Sequence, residues 1–399
     1  MILSLLIVLI GGFSIGYLFE KINIPKIVGM IIFGILISPS ILNLVSPSLI
    51  NISDILRKIA LVIIITRAGL NLSIKSIKEM GINALLISFI PATFEIIGVT
   101  IFSYLLLNIS IVGGILLGTV LAAVSPAIVV PRMIKLKNKG YKEVSELVLV
   151  GSSIDDIYVI VLFYATLNVL KTNKFDIISI VQIPSSIILG ILLGLVIGIV
   201  IYQLLKLLKF NNYINLIVLF SLSILLVFSE DILFNVVNVS TLISILSLFI
   251  FINFKNKEIS FKLEENYKHL WFFFEIILFV LVGVSVDIKY ALSEGFMPVI
   301  VLLIGLTIRS LGTFIALTFT NFNFKEKLFI IFSYLPKATV QASIGGIALS
   351  EGLNVGPLIL TLAVLSILIT APIGATLIDN TYKKLLNKNY NKENLNYEH

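Results

Sequence analysis

The sequence predicts an all-α polytopic membrane protein of about thirteen transmembrane helices, and three observations carry that prediction. Of 399 residues 58% are hydrophobic and only 13% charged, against about 25% charged in soluble proteins. The apolar residues come in blocks of about twenty, enough at about 1.5 Å per residue to cross roughly 30 Å of hydrocarbon, and the mean hydropathy is +1.10. Lys and Arg alternate between successive loops.

Apolar runs between polar breaks place the helices near residues 2–19, 25–42, 54–70, 82–107, 112–134, 145–169, 181–208, 212–229, 236–253, 268–288, 297–320, 326–351 and 355–380. Loops on one side hold 21 basic residues: Lys21, Lys26, Lys75, Lys78, those from Arg132 to Lys142, Lys206, Lys209, those from Lys255 to Lys268, Lys325, Lys327 and the tail. The other side holds five, Arg57, Lys58, Lys171, Lys174 and Lys289, and three lie in or near the membrane, Arg67, Arg309 and Lys337. The positive-inside rule then predicts an outer N-terminus and a cytoplasmic C-terminus in the cell (plasma) membrane. An odd helix count agrees.

The net charge of +7 is spread over these loops rather than gathered with aromatics, so no nucleic-acid partner is expected. The absence of Cys removes thiolate chemistry, and two histidines, His269 and His399, cannot build a zinc site. No basic region or cleavage site precedes Glu20, so no cleaved signal peptide is expected.

Two helices carry matching interruptions, the fifth with Ser125-Pro126 and Pro131, the twelfth with Pro336 before Lys337. Proline removes a backbone donor and breaks or kinks a helix. The two stand seven helices apart, and an odd offset reverses the second copy in the membrane. Helices one to six and eight to thirteen therefore read as two inverted six-helix repeats, a pattern that points to a transporter's midplane binding site. Gly190, Gly194 and Gly198 stripe the seventh helix for close packing.

Ionisable side chains inside a membrane are functional candidates by default. Asp155 and Asp156 lie about eleven residues into the sixth helix, roughly 15 Å deep. Glu95, Arg309 and Lys337 fall at a similar depth on the fourth, eleventh and twelfth helices. Carboxylates suit a hard alkali cation and bind protons in competition with it. Ser125, Ser152, Ser153 and carbonyls freed near Pro126 are candidate neutral ligands. Glu95 and Arg309 read as a structural ion pair, and Lys337 as compensation for the aspartates. Arg67 and Glu275, nearer the cytoplasm, read as local pairs or snorkelling groups.

The strings Leu121-Ala-Ala-Val-Ser-Pro-Ala-Ile-Val-Val-Pro131, Gly151-Ser-Ser-Ile-Asp-Asp156 and Leu335-Pro-Lys-Ala-Thr-Val-Gln-Ala342 together resemble the monovalent cation:proton antiporter superfamily, in its NHA branch of sodium/proton exchangers. Ile24-Pro-Lys-Ile-Val-Gly29 and Gly34-Ile-Leu-Ile-Ser-Pro39 are similar to that superfamily's second helix. The resemblance covers nearly the whole chain. It implies a homodimer in lipid, with a dimerisation panel (1–75 and 210–290), an ion-transporting core (76–170 and 296–380) in which the broken helices cross, a linker helix (181–208) and a cytoplasmic tail (381–399). It also implies that Asp156 carries cation and proton, that Asp155 modulates it, and that the core moves like an elevator. Many electrogenic bacterial relatives have Lys where Arg309 stands, whereas the NHA branch resembles this chain.

The expected function is antiport of Na⁺ or Li⁺ against H⁺ at Asp156 and Asp155, electroneutral by charge count, with no cofactor and no enzymatic chemistry. K⁺/H⁺ antiport and sodium-coupled organic-anion symport on a similar fold are the alternatives. An intramembrane aspartyl protease needs its two acids on separate helices, which adjacent aspartates do not provide.

Overall fold

The computed structural model describes residues 1–71, 81–172, 177–208, 211–229, 239–287, 290, 293 and 295–387. Among them the regular structure is entirely helical, and eight helices are long and apolar enough to cross a membrane. We label the main helices α1 (Ile2–Lys21), α2 (Lys26–Ile37), α3 (Ser53–Asn71), α4 (Ile82–Leu107), α5a (Ile111–Ala122), α5b (Pro126–Asn138), α6 (Lys142–Thr172) and α7 (Ile177–Leu208). After these come α8 (Asn212–Phe228), α9 (Thr241–Lys255), α10 (Lys257–Val284), α11 (Met297–Ala316), α12a (Phe324–Ser333), α12b (Thr339–Ile344) and α13 (Gly356–Leu385). The expected loop positions at Lys75, Lys78, Lys174, Lys209 and Lys289, the start of the ninth helix and the tail beyond 387 lie outside the described residues.

The helices pack in two groups. In the first, α10 lies against α2 and α3, α9 against α3 and α7, and α1 against α2. α2 and α10 approach closely at Gly34 and Gly283, where a Cβ on Gly34 would stand 3.0 Å from the Gly283 Cα. The striped face of α7 meets α9, with a Cβ on Gly190 falling 2.7 Å from the Ser240 carbonyl oxygen. In the second group α4 packs on α11, α5a and α6, while α12a and the next turn, Ile347–Ser350, lie on α13. The groups meet where α12b touches α3 and α10, and where α13 touches α2.

Several expectations need correcting. α10 begins at Lys257 rather than near 268, because the Asn256 side chain caps the Ile259 N–H at 3.0 Å and Lys262 pairs with Glu258 one turn back at 2.5 Å. Apolarity marks where a helix is in lipid, not where it starts. Arg57 is no outer-loop residue: it sits buried in the first turns of α3, bonded to Asp54 and donating to the Ser285 hydroxyl at 3.3 Å. For Arg67 and Glu275 no correction is needed, since the local pair is what forms: Arg67 with Glu264 at 3.5 Å and Glu275 with Lys26 at 2.6 Å. Pro131 lies inside α5b without interrupting it. A one-turn helix at Pro47–Asn51 was also not expected.

Candidate ion-binding site

α5a stops at Ala122, and Pro126 opens α5b at the first helical position, where a missing N–H costs nothing. Residues 123–125 are left extended. The twelfth helix breaks likewise after Ser333 and resumes at Thr339, with Pro336 between. Inside a membrane every main-chain group freed by a break must find a partner in the protein.

Those partners come largely from the other break. The Ser125 N–H donates to the Pro336 carbonyl at 2.8 Å. The Gln341 side chain donates to the Ala123 carbonyl at 2.8 Å and accepts from the Ala338 N–H at 2.9 Å. The Lys337 N–H donates to the Thr370 hydroxyl on α13 at 2.9 Å, and the Val124 N–H to Asp155 Oδ2 at 2.9 Å. The two breaks thus cross in contact.

One guanidinium joins this crossing to the buried acids. Arg309 donates through Nε to the Tyr334 carbonyl at 2.9 Å, through Nη1 to Glu95 Oε2 at 2.9 Å and to the Ala122 carbonyl, and through Nη2 to Asp155 Oδ1 and Oδ2 at 3.2 and 3.1 Å. Its planar fork of donors suits several oxygens at fixed angles in a way that an ammonium does not. The Tyr334 ring lies 5.5 Å from the guanidinium carbon, and Tyr334 reaches α6 where Gly151 leaves room: a Cβ there would come 3.3 Å from Tyr334 Cζ and 2.7 Å from the Ile87 side chain. Lys337 Nζ donates to Glu95 Oε2 at 2.7 Å. Glu95, Asp155, Arg309 and Lys337 are all fully buried.

The structure therefore brings four of the expected charges into one network. Lys337, expected to offset the aspartate pair, makes its direct ion pair with Glu95, and its charge also acts on Asp155 and Asp156. Arg309 bridges Glu95 and Asp155 rather than serving one acid. Asp155, read as a cation ligand, has both oxygens engaged by the protein. Asp156 is 5% exposed, and its Oδ1 has no hydrogen-bond partner among the described residues. The Ser125 hydroxyl, buried beside the crossing, is likewise unpartnered. The Ser152 hydroxyl bonds back to the Leu149 carbonyl at 3.3 Å. The Ser153 side chain lies outside the described part.

Two carboxylates against two cations cancel within the network, which leaves Asp156 as the cluster's unbalanced charge. A buried carboxylate without a counter-charge is stabilised by a cation or a proton. That is the chemistry of exchange. Gln341 is a site residue not expected from the sequence, and its one signal is positional: a Gln three residues into a helix can serve the N–H groups at its start.

The family model for sodium/hydrogen exchanger, transmembrane, matches residues 4–383. The chain belongs to the sodium/hydrogen exchanger family. Members of that family are transporters embedded in membranes. Human sodium/hydrogen exchanger 9B2 is 33% identical over 383 residues, spanning 92% of this chain and 70% of that protein. Mouse sodium/hydrogen exchanger 9B1 is 33% identical over 408 residues, spanning 96% and 71%. The fold matches the structure of a sodium proton antiporter from Methanocaldococcus jannaschii at TM-score 0.82 and 19% identity, covering 96% of this chain and 97% of that one.

Proposed function

We propose that this family member exchanges Na⁺, and also Li⁺, for H⁺ at the Asp156 carboxylate. The observation that carries the reading is Asp156 itself, buried, with Oδ1 unpartnered and in none of the ion pairs that Arg309 and Lys337 make with Glu95 and Asp155. The relatives' names, sodium/hydrogen exchanger 9B2 and 9B1, support the choice of ion. A spare negative charge favours a cation over an organic anion, so symport of an anion has no observation behind it, and nothing at the site favours K⁺. Asp155 acts on Asp156 indirectly, as the aspartate whose charge Arg309 holds.

In this reading thirteen helices span the membrane from an outer N-terminus to a cytoplasmic C-terminus. α4 to α6 and α11 to α13 form the moving core, α1 to α3 and α8 to α10 the panel of a homodimer, and α7 the linker. The core slides against the panel as an elevator, and the crossing of two inverted repeats carries the site. Support comes from the two packing groups, which meet through few helices.

Exchange is one for one. Three carboxylates against two cations leave one negative charge, so one Na⁺ or one H⁺ neutralises the cluster, and Arg309 does not deprotonate. Moving a net charge would instead be worth about 2.3 kcal/mol per 100 mV. Proteoliposomes clamped at several potassium diffusion potentials test this: the Na⁺ gradient that nulls proton flux should stay put as voltage changes, and a null point that moves refutes one-for-one exchange. Competition for one carboxylate further requires that the apparent affinity for Na⁺ weaken as pH falls. A flat response between about pH 5.5 and 8.5, where a buried carboxylate can titrate, would exclude it.

A further inference from the structure

Buried polar atoms without partners are rare, and each asks what it is for. Around the crossing, besides Glu95 Oε1 and Tyr334 Oη, the described residues hold three such atoms: Asp156 Oδ1 on α6, Ser125 Oγ in the first break and Thr339 Oγ1 at the start of α12b. Ser125 is fully buried and Thr339 is 4% exposed. The segments are in contact, since the Ser125 N–H bonds the Pro336 carbonyl at 2.8 Å, the Val124 N–H bonds Asp155, the residue before Asp156, and α6 touches α12b.

Both hydroxyls decline the partners their positions normally offer. A serine before the first turn of a helix usually accepts from an N–H two or three residues on, yet the Ile128 and Val129 N–H groups go to the Ser125 carbonyl instead, and its side chain makes no cap. Threonines within these helices return their hydroxyl to a carbonyl one turn back, as Thr100, Thr119 and Thr313 do at 2.7, 2.7 and 2.9 Å. Thr339 has no helical turn behind it, and the Pro336 carbonyl three residues back already accepts from Ser125.

Four of the main-chain oxygens freed by the breaks, which would otherwise be ready cation ligands, are taken. Arg309 holds the Ala122 and Tyr334 carbonyls, Gln341 that of Ala123, and Ser125 that of Pro336. We propose that Thr339 Oγ1, with Ser125 Oγ, supplies neutral side-chain oxygens around a cation held by Asp156. Hydroxyl oxygens suit a small hard cation and let the same site turn to a protonated Asp156 by hydrogen bonding. Water completes the coordination that a hard ion requires.

This inference rests on the antiport reading, and the test separates the two. The purified full chain is titrated with Na⁺ at fixed pH while its unfolding temperature is followed, and Na⁺-dependent proton flux is measured in liposomes. Thr339→Val keeps the shape and removes the oxygen. It should raise the Na⁺ concentration for half-maximal stabilisation and for half-maximal flux about tenfold, leaving the unfolding temperature without Na⁺ near that of the parent. Thr339→Ser should restore the parent behaviour. If Val disturbs the fold, Thr339→Ala against Thr339→Ser gives the same contrast of one oxygen. A Na⁺ midpoint within twofold of the parent in the variant lacking the hydroxyl overturns the assignment. Asp156→Asn serves as the control. If it still gains stability from Na⁺, the antiport reading fails; if it loses that gain while Thr339→Val keeps it, only the role of Thr339 fails.

Discussion

The two helix groups use buried charge in opposite ways. In the group built on α2, α3 and α10, each charge meets a partner in a separate local pair: Lys26 with Glu275, Arg57 with Asp54, Arg67 with Glu264. In the group built on α4, α6, α11 and α12, Arg309 and Lys337 share Glu95, Arg309 also holds Asp155, and Asp156 is left over. Balanced pairs fasten helices. An odd count leaves one carboxylate that a cation or a proton can balance, and the proposed exchange rests on that contrast.

The strongest way to break the contrast is Asp156→Asn, which keeps the shape but neither releases a proton nor offers full charge. Na⁺-dependent proton flux should vanish while the protein elutes and unfolds as the parent does. Flux that persists would place the exchanging group elsewhere. Next come the network members. Glu95→Ala or Arg309→Ala should each cost about 3–5 kcal/mol by stranding buried charge, and the double change should recover only part of the loss, because Asp155 and Lys337 then remain unpartnered. Strict additivity in the unfolding measurements would mean that Glu95 and Arg309 are uncoupled.

Gln341→Leu leaves the Ala123 carbonyl and the Ala338 N–H unmatched, at about 1–3 kcal/mol each, but strands no charge. In the first group the effects should be smaller and lopsided. Lys26→Ala strands Glu275, which is 4% exposed, whereas Glu275→Gln leaves a lysine whose side chain is already 33% exposed and able to reach water. The lysine substitution should therefore lower the unfolding temperature more, with the Na⁺ midpoint unchanged in both. A shifted midpoint would show that these pairs belong to the transport site. Lys262→Ala, which removes an exposed pair with Glu258, should leave both readouts where they were.

Much of this arrangement was legible in the sequence, and the limits were physical. Ionisable residues stand out against an apolar background, so Glu95, Asp155, Asp156, Arg309 and Lys337 could be read as one set. Pro126 and Pro336 marked the breaks because a proline cannot donate. Which charge meets which was not legible, since the fork of Arg309 and the reach of Lys337 depend on rotamers and a few ångströms of helix placement. Pro131 misled because a proline can sit within a helix when only one hydrogen bond is lost. The pairing of Lys26 with Glu275 joins residues 249 positions apart, a distance that no local pattern encodes. Gln341 was missed because amides carry no charge to draw the eye.

The contact between Ser125 and Pro336 joins main chain to main chain, so no side-chain replacement severs it. Length does. One residue added to either break would slide the backbone by about 3.3–3.6 Å, more than the 2.8 Å bond itself, and would carry the acceptors of Arg309 and Gln341 out of register in the same move. The two breaks, some two hundred residues apart in the chain, are thereby bound to each other in length: an insertion in one is tolerable only with a matching adjustment in the other, while the loops between helices remain free to grow.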